Sequence, residues 1–488
     1  MRGIRACVPE RRTRNCMISR TRESAMKQVS GLAAGLSYVT FMYDPVGAMC
    51  LVYKRWGVIY ALRNFLPFSK PGRLRVLALG PECNRQVLGN PDVFHSIPLS
   101  IPGPRDSAQR RISKGLTALN GEVHQLERRL AIPLFHKRAV EDYSRSMVRI
   151  ADEILNTWQI GQCVDMWLLV RELPLRISSG ILFGQEGAQQ AYEMGQLINS
   201  WVSQNFSVLA RLFPCNVPGL PYRRMLKSAA LMEDQMLIRV KARQSTSVGS
   251  ADILALLLDA HGEHDDPMLL PHLISQAVTL FGASYETTVN ALTWTLFLLA
   301  QHPHVMHDVL DELDATLQGA PPVSDQLDRL PYLEAVIKES MRILPPVPYT
   351  IRVAREPVEL NGLPLKKGDR VILSHYVTHH MPELYAEPEK FRPQRWFEIS
   401  PSQFEYLPFS AGPRICIGYS FAMAVMKISL SMILQRFRLT VVPGSRIDRL
   451  VQVTMRPKFG IPMTIHHQDR QFRSVAVRGN IHEMVKLV

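Results

Sequence analysis

Residues 271–300, PHLISQAVTLFGASYETTVNALTWTLFLLA, run for thirty positions with a single charge, Glu286. A surface helix shows an apolar stripe backed by charged residues, whereas this segment is apolar on every side. It predicts a helix that passes through a core and is covered by other elements all round. A chain built around such an element has to be a large, mainly helical body, and 488 residues are enough for one.

The remainder fits that frame. Strand-like material is confined to VIYALRN and RLRVLAL near the start and to VELNGLPL and RVILSHY around 358–376; most of the rest has helical periodicity. Between Lys27 and Lys54 the only charge is Asp44, but Asp44-Pro45 is a helix N-cap and first-turn pair. A helix over about 45–56 is therefore expected there instead of a membrane anchor. The fold expected is mainly α with a small β-sheet subdomain, in one large domain at 29–466. Residues 1–28, with seven arginines and a lysine against two glutamates and no apolar run, read as a basic, disordered extension and not as a secretory signal. Residues 467–488 read as a C-terminal tail.

Lys plus Arg exceed Asp plus Glu by 57 to 43, a formal charge of +14. The excess is spread along the chain, so no nucleic-acid partner is expected; a basic docking face for an acidic protein fits better. Seven widely spaced cysteines without a C-x-x-C pair read as free thiols in a reducing compartment.

One thiol stands apart. Residues 408–420 read PFSAGPRICIGYS, a stiff loop placed immediately before an apolar helix. A thiolate acting as metal ligand needs N–H donors and positive charge, and a position just before the helix starting near Tyr419 offers Cys416 both. Phe409, Gly412, Arg414, Cys416 and Gly418 spell F-x-x-G-x-R-x-C-x-G, which resembles the haem-binding loop of the cytochrome P-450 monooxygenases. The resemblance implies that Cys416 ligates the iron of haem b, that Gly412 and Gly418 let backbone approach the macrocycle, and that Arg414 pairs with a propionate.

Three further elements carry the same resemblance, which extends from about Asp44 to His466. Glu339 and Arg342 form E-x-x-R, and Arg395 of FRPQRW is the third member of the family's buried structural triad. Ala283 to Thr288, ASYETT, is similar to the family's A-G-x-[D/E]-T-[T/S]. That motif implies a bent helix with an oxygen groove, where Thr287 hydrogen-bonds oxygen at the iron and Glu286 feeds protons through water. Ser284 stands where the family usually has glycine, and its side chain is expected either to crowd the groove or to add a donor to it. His124 and Arg128 form H-x-x-x-R on one helix face, and Arg352 is a further propionate partner.

The resemblance implies a haem-thiolate monooxygenase that inserts one atom of dioxygen into a lipophilic substrate. No flavin or NAD fingerprint is present, so electrons are expected from NAD(P)H through a separate ferredoxin and reductase. A monomeric, cytoplasmic, soluble bacterial-type protein is expected, with substrate specificity residing near 92–120, 200–224 and 346–351. Peroxide-driven, isomerising or sensor haem proteins are the alternatives.

Overall fold

The structure is a computed structural model that describes residues 27–63, 73–98, 100–184, 188–205, 207–245, 252–261 and 269–487. The basic segment 1–26 lies outside the described residues. The expected boundary at 28 is too late: Lys27–Val29 is a strand that pairs in parallel with Tyr60–Leu62.

The apolar segment forms one unbroken α-helix, Leu269–Gln301, of 33 residues. At 1.5 Å per residue it spans about 50 Å, the width of a large domain. Phe281, Leu292, Trp294, Phe297, Leu298 and Leu299 on it are fully buried. The helices Glu172–Phe183, Pro331–Ile343 and Tyr419–Arg436 pack against it. Four of its threonines are satisfied within the helix. Thr287, Thr288, Thr293 and Thr295 each donate to the carbonyl four residues back at 2.7–2.8 Å.

Asp44 ends one helix, Gly31–Tyr43, and caps the next, Pro45–Trp56, where its Oδ1 accepts from Gly47 N at 3.1 Å. No helix among the described residues is long and apolar enough to cross a membrane.

Among the described residues the main sheet has six strands, in the order Lys27–Val29, Ile59–Arg63, Leu74–Ala78, Arg370–Ser374, Tyr349–Ala354, Phe94–Ser96. VELNGLPL forms a hairpin of its own, Val358–Leu360 with Leu363–Leu365. RVILSHY is strand only as far as Ser374, whose Oγ accepts from Val377 N at 3.0 Å and so starts the short helix His375–His379. The tail beyond His467 is part of the body. Ile481, Met484 and Val485 are buried in the main core, and Lys486 N donates to Glu389 O at 2.8 Å.

Candidate active site

The thiol loop sits between two fixed points. Cys416 N donates to Phe409 O at 2.9 Å, closing the loop, and the Phe409 ring meets Tyr419 edge-on at 4.8 Å. Gly412 has φ +69°, and a Cβ there would lie 2.4 Å from Leu88 O. Its glycine serves a backbone crossing against the helix Pro81–Leu88, a nearer reason than approach to a macrocycle. Gly418 differs: a Cβ there would meet only Cys416 Sγ, at 3.8 Å, so the space beside the thiol is open.

The Cys416 side chain is accessible although protein atoms enclose it. It therefore faces an internal space and not the outer surface. Burial pushes the thiol up; the Gly418 N–H and the Arg128 charge pull it down but do not outweigh burial. The loop alone does not hold a thiolate. A metal cation bound there would supply the missing charge, and its ligation would favour loss of the thiol proton.

Four basic side chains from three elements surround this space. Arg128 Nη2 donates to Ile415 O at 2.6 Å, beside Cys416. Arg414 donates to Leu119 O at 2.7 Å and to Asn120 Oδ1 at 3.2 Å. Arg352 on the strand Tyr349–Ala354 is buried, and its Nη1 donates to Thr350 Oγ1 and Ile351 O. Buried His124 is pushed down to about 4, by burial first and then by the charges of Arg414, Arg128 and Arg352. Arg352 and Arg414 are each pushed down to about 10, by burial and by a neighbouring guanidinium. Among the described residues no carboxylate pairs with any of the four. Three guanidiniums gathered without an anion fit a group that brings carboxylates with it, and a thiol open on one side fits one that brings a metal. The residues present fit haem.

Asn120 is a site residue that the sequence reading missed. Its Oδ1 accepts from Ser96 N at 2.8 Å as well as from Arg414, which ties the thiol loop to the edge strand Phe94–Ser96. An Asn before Gly121 reads as an N-cap, yet its side chain makes no cap bond. The preceding segment is pressed onto the core helix. Leu116 N donates to Gln276 Oε1 at 2.9 Å, and a Cβ on Gly115 would lie 2.0 Å from Thr279 Oγ1.

On the core helix, Ala283 is exposed and Thr287 half-buried, while Thr288, Thr293 and Thr295 are buried. All four threonines bond back in the same way, so the back-bond does not single out Thr287; its open surroundings do. Glu286 Oε1 accepts from Thr454 Oγ1 at 2.7 Å, and no hydrogen bond joins it to Thr287 among the described residues. Thr454 too was missed, since nothing in the sequence links it to a helix 168 positions earlier. Ser284 departs from expectation. Its Oγ lies 3.0 Å from Phe281 O and 3.1 Å from Ser178 Oγ, engaged with its own helix and with Glu172–Phe183 instead of the open space.

Glu339, Arg342 and Arg395 form a fully buried cluster. Arg342 holds Glu339 through two bonds of 2.9 Å, Arg395 Nε adds a third at 2.9 Å, and Arg392 N and Trp396 Nε1 complete the shell. Burial pushes Glu339 up, but Arg342 and then Arg395 pull it below the usual carboxylate range. Arg395 is pushed down by burial, with Glu339 opposing and Arg342 adding to the shift. Two cations share one anion, so the carboxylate gains while the second guanidinium feels the first. Arg342 also donates to His379 O and Pro388 O, fastening the cluster to the segment that leads to the thiol loop.

Comparison with known proteins gives one answer throughout. The cytochrome P450 family model matches residues 72–461. The chain is 29% identical to a cyclooctat-9-en-7-ol 5-monooxygenase of Streptomyces melanosporofaciens, over 76% of this chain and 81% of that protein. It is 30% identical to a cytokinin hydroxylase of Arabidopsis thaliana, covering 73% and 72% of the two. The structure of retinoic acid-bound cyanobacterial CYP120A1 superposes with a TM-score of 0.77 at 25% identity, over 88% of this chain and 96% of that one. Placed beside an enclosed, accessible thiol and three arginines that no carboxylate among the described residues pairs with, these likenesses assign the chain to the cytochrome P450 family, as a haem-thiolate monooxygenase.

Proposed function

We propose that the chain oxidises a lipophilic small molecule at the space bounded by Cys416, Ala283 and Thr287. Its electrons come from NAD(P)H through a separate ferredoxin-type partner in the cytoplasm. The observation that carries this reading is the Cys416 thiol, accessible inside the protein and near guanidiniums that no carboxylate among the described residues pairs with. Haem bound there supplies the activation of dioxygen, and a thiolate ligand favours O–O cleavage.

The chain's own residues divide the remaining work. Arg128, Arg352 and Arg414, with His124, would hold the haem carboxylates, while Phe409 covers the loop and Gly418 leaves room beside the sulfur. Thr287 holds a proton-bearing hydroxyl at the open face of the core helix, where it hands that proton on. Glu286, steadied by Thr454, resupplies it through water. The Glu339–Arg342–Arg395 cluster positions the thiol loop and takes no part in the chemistry. The molecules that name the relatives, cyclooctat-9-en-7-ol and a cytokinin, and the retinoic acid bound to the structural neighbour support a small organic substrate with a large apolar part.

The test is product formation by the purified protein with NAD(P)H, ferredoxin, its reductase and oxygen. Turnover that needs all four is expected. Equal turnover with hydrogen peroxide alone, or none with any substrate that perturbs the haem spectrum, would overturn the reading.

A further inference from the structure

The segment Ile101–Ile112 borders the reaction space and is held by two fastenings of different kinds. It ends in the short helix Ala108–Ile112. Three residues on, a Cβ on Gly115 would lie 2.0 Å from Thr279 Oγ1, one turn before Ala283 on the core helix. The end of the helix Ala188–Asn205 reaches the same stretch, since a Cβ on Gly282 would meet Val202 Cγ2 at 3.4 Å. Segment and helix thus come down on the core helix next to its exposed Ala283.

The first fastening is a closed network of neutral groups. Gln109 is fully buried; its Nε2 donates to Ile101 O and to Asn205 Oδ1, both at 2.8 Å, and its Oε1 accepts from Trp201 Nε1 at 2.6 Å. Asn205, also buried, accepts from Ile101 N at 3.1 Å and donates from Nδ2 to Trp201 O at 2.9 Å. Every polar atom of the two side-chain amides has a partner, so separating them would strand several buried groups at once.

The second fastening is an ion pair at the rim. Arg111 Nε and Nη2 donate to Glu233 Oε1 and Oε2 at 2.7 and 2.5 Å, which ties the segment to the long helix Pro221–Ser245. The Arg111 side chain is 36% exposed, so water and salt reach the pair. One neutral bond accompanies it, from Tyr222 Oη at the start of the same helix to Pro102 O at 2.9 Å.

Resting on the reaction space proposed above, we infer that this segment is the door by which a bulky substrate enters, with Arg111–Glu233 as the clasp that releases and Gln109–Asn205–Trp201 as the pivot that holds. Breaking the clasp hands two charges to water, which solvates them. Breaking the pivot leaves buried amides with nothing to bond. The clasp therefore opens far more often, and salt, which screens charges but not neutral bonds, makes it open more often still.

The test compares wild type with Glu233→Gln, Gln109→Leu and the exchanged pair Arg111→Glu with Glu233→Arg, at about 0.05 and about 0.5 M sodium chloride. Stopped-flow binding of clotrimazole to the ferric haem, read as a Soret shift, reports entry of a bulky ligand. Carbon monoxide rebinding after photolysis reports a small one. Clotrimazole association with wild type should quicken about threefold with salt, and Glu233→Gln should be about fivefold faster at low salt and insensitive to it. The exchanged pair should return the rate toward wild type, which general damage to the fold would not allow, and carbon monoxide rebinding should be alike in all. Hydrogen exchange of the same proteins, resolved to single amides, follows the two fastenings without haem chemistry. Glu233→Gln should speed exchange at Arg110 N and Arg111 N, both bonded to Ser107 O, and leave Ile101 N as slow as in wild type. Gln109→Leu should speed Ile101 N. Equal clotrimazole rates in wild type and Glu233→Gln would overturn the inference, as would exchange at Ile101 N that rises together with that at Arg111 N. If Gln109→Leu fails to fold, Glu233→Gln and the salt series decide. A Soret band that no azole shifts would overturn the haem reading instead, and the exchange pattern would then judge clasp and pivot alone.

Discussion

Ser284 Oγ and Ser178 Oγ lie 3.1 Å apart, joining the core helix to the helix Glu172–Phe183. The family's glycine position is thus occupied by a hydroxyl that binds two helices together. Ser284→Gly should leave the ratio of product to electrons consumed unchanged. It should lower thermal stability, because a mid-helix glycine costs about 1 kcal/mol and the bond to Ser178 is lost. Product and hydrogen peroxide per reducing equivalent, normalised to haem, decide this; a rise in peroxide would return Ser284 to the proton path.

Thr287 presents its hydroxyl where the helix is open, and it is expected to matter for coupling. Thr287→Ala should divert most electrons to hydrogen peroxide while leaving haem content and fold intact, since the lost back-bond to Ala283 is one of four alike. The same peroxide assay applies. Unchanged coupling would remove Thr287 from the relay and leave Glu286 with Thr454 to be tested by Thr454→Val.

The Cys416 assignment predicts a strongly red-shifted Soret band for the reduced carbon monoxide complex. Cys416→Ala should abolish that band. Survival of the band in the variant would show that another group ligates the iron.

Glu339→Ala should destabilise the protein by about 3–5 kcal/mol and yield haem-free or aggregated material, because it leaves two buried guanidiniums without an anion. Glu339→Gln keeps a hydrogen-bond acceptor for Arg342 but not the charge, so it should fall between. Denaturant unfolding and the haem-to-protein ratio measure both. Soluble, haem-loaded Glu339→Ala would mean that the cluster is dispensable.

His380 gives the protein a definite response to acid. Burial, followed by the Arg342 charge, pushes it down to about 3 in the folded state. The unfolded ring titrates at about 6.5, so between about 6.5 and 3 the unfolded chain binds the extra proton and stability falls as pH falls. The slope contributed is about 1.4 kcal/mol per pH unit within that window. His380→Gln should flatten the decline between pH 6 and 4 in thermal unfolding, and an unchanged slope would show that His380 is already charged when folded.

The sequence by itself determined the mainly helical class, through thirty residues with one charge, and the first-turn signal at Asp44-Pro45 that starts a helix. The spacing of Cys416, Arg414 and Gly418 likewise announces a thiol held for a ligand, because local backbone and side-chain chemistry write those signals within a few residues. Tertiary structure decided what depends on contacts between distant segments. It turned Ser284 toward Ser178, brought Thr454 to Glu286, and gave Gly412 its reason in the carbonyl of Leu88. It drew the strands Lys27–Val29, Phe94–Ser96 and Tyr349–Ala354 into one sheet, and seated Val477, Ile481, Met484 and Val485 of the tail in the core. It also set the state of the free thiol. A loop that looks built to hold a thiolate encloses its sulfur in protein, so that the thiol without a metal is pushed up, and that enclosure is a property of the whole fold that no motif records.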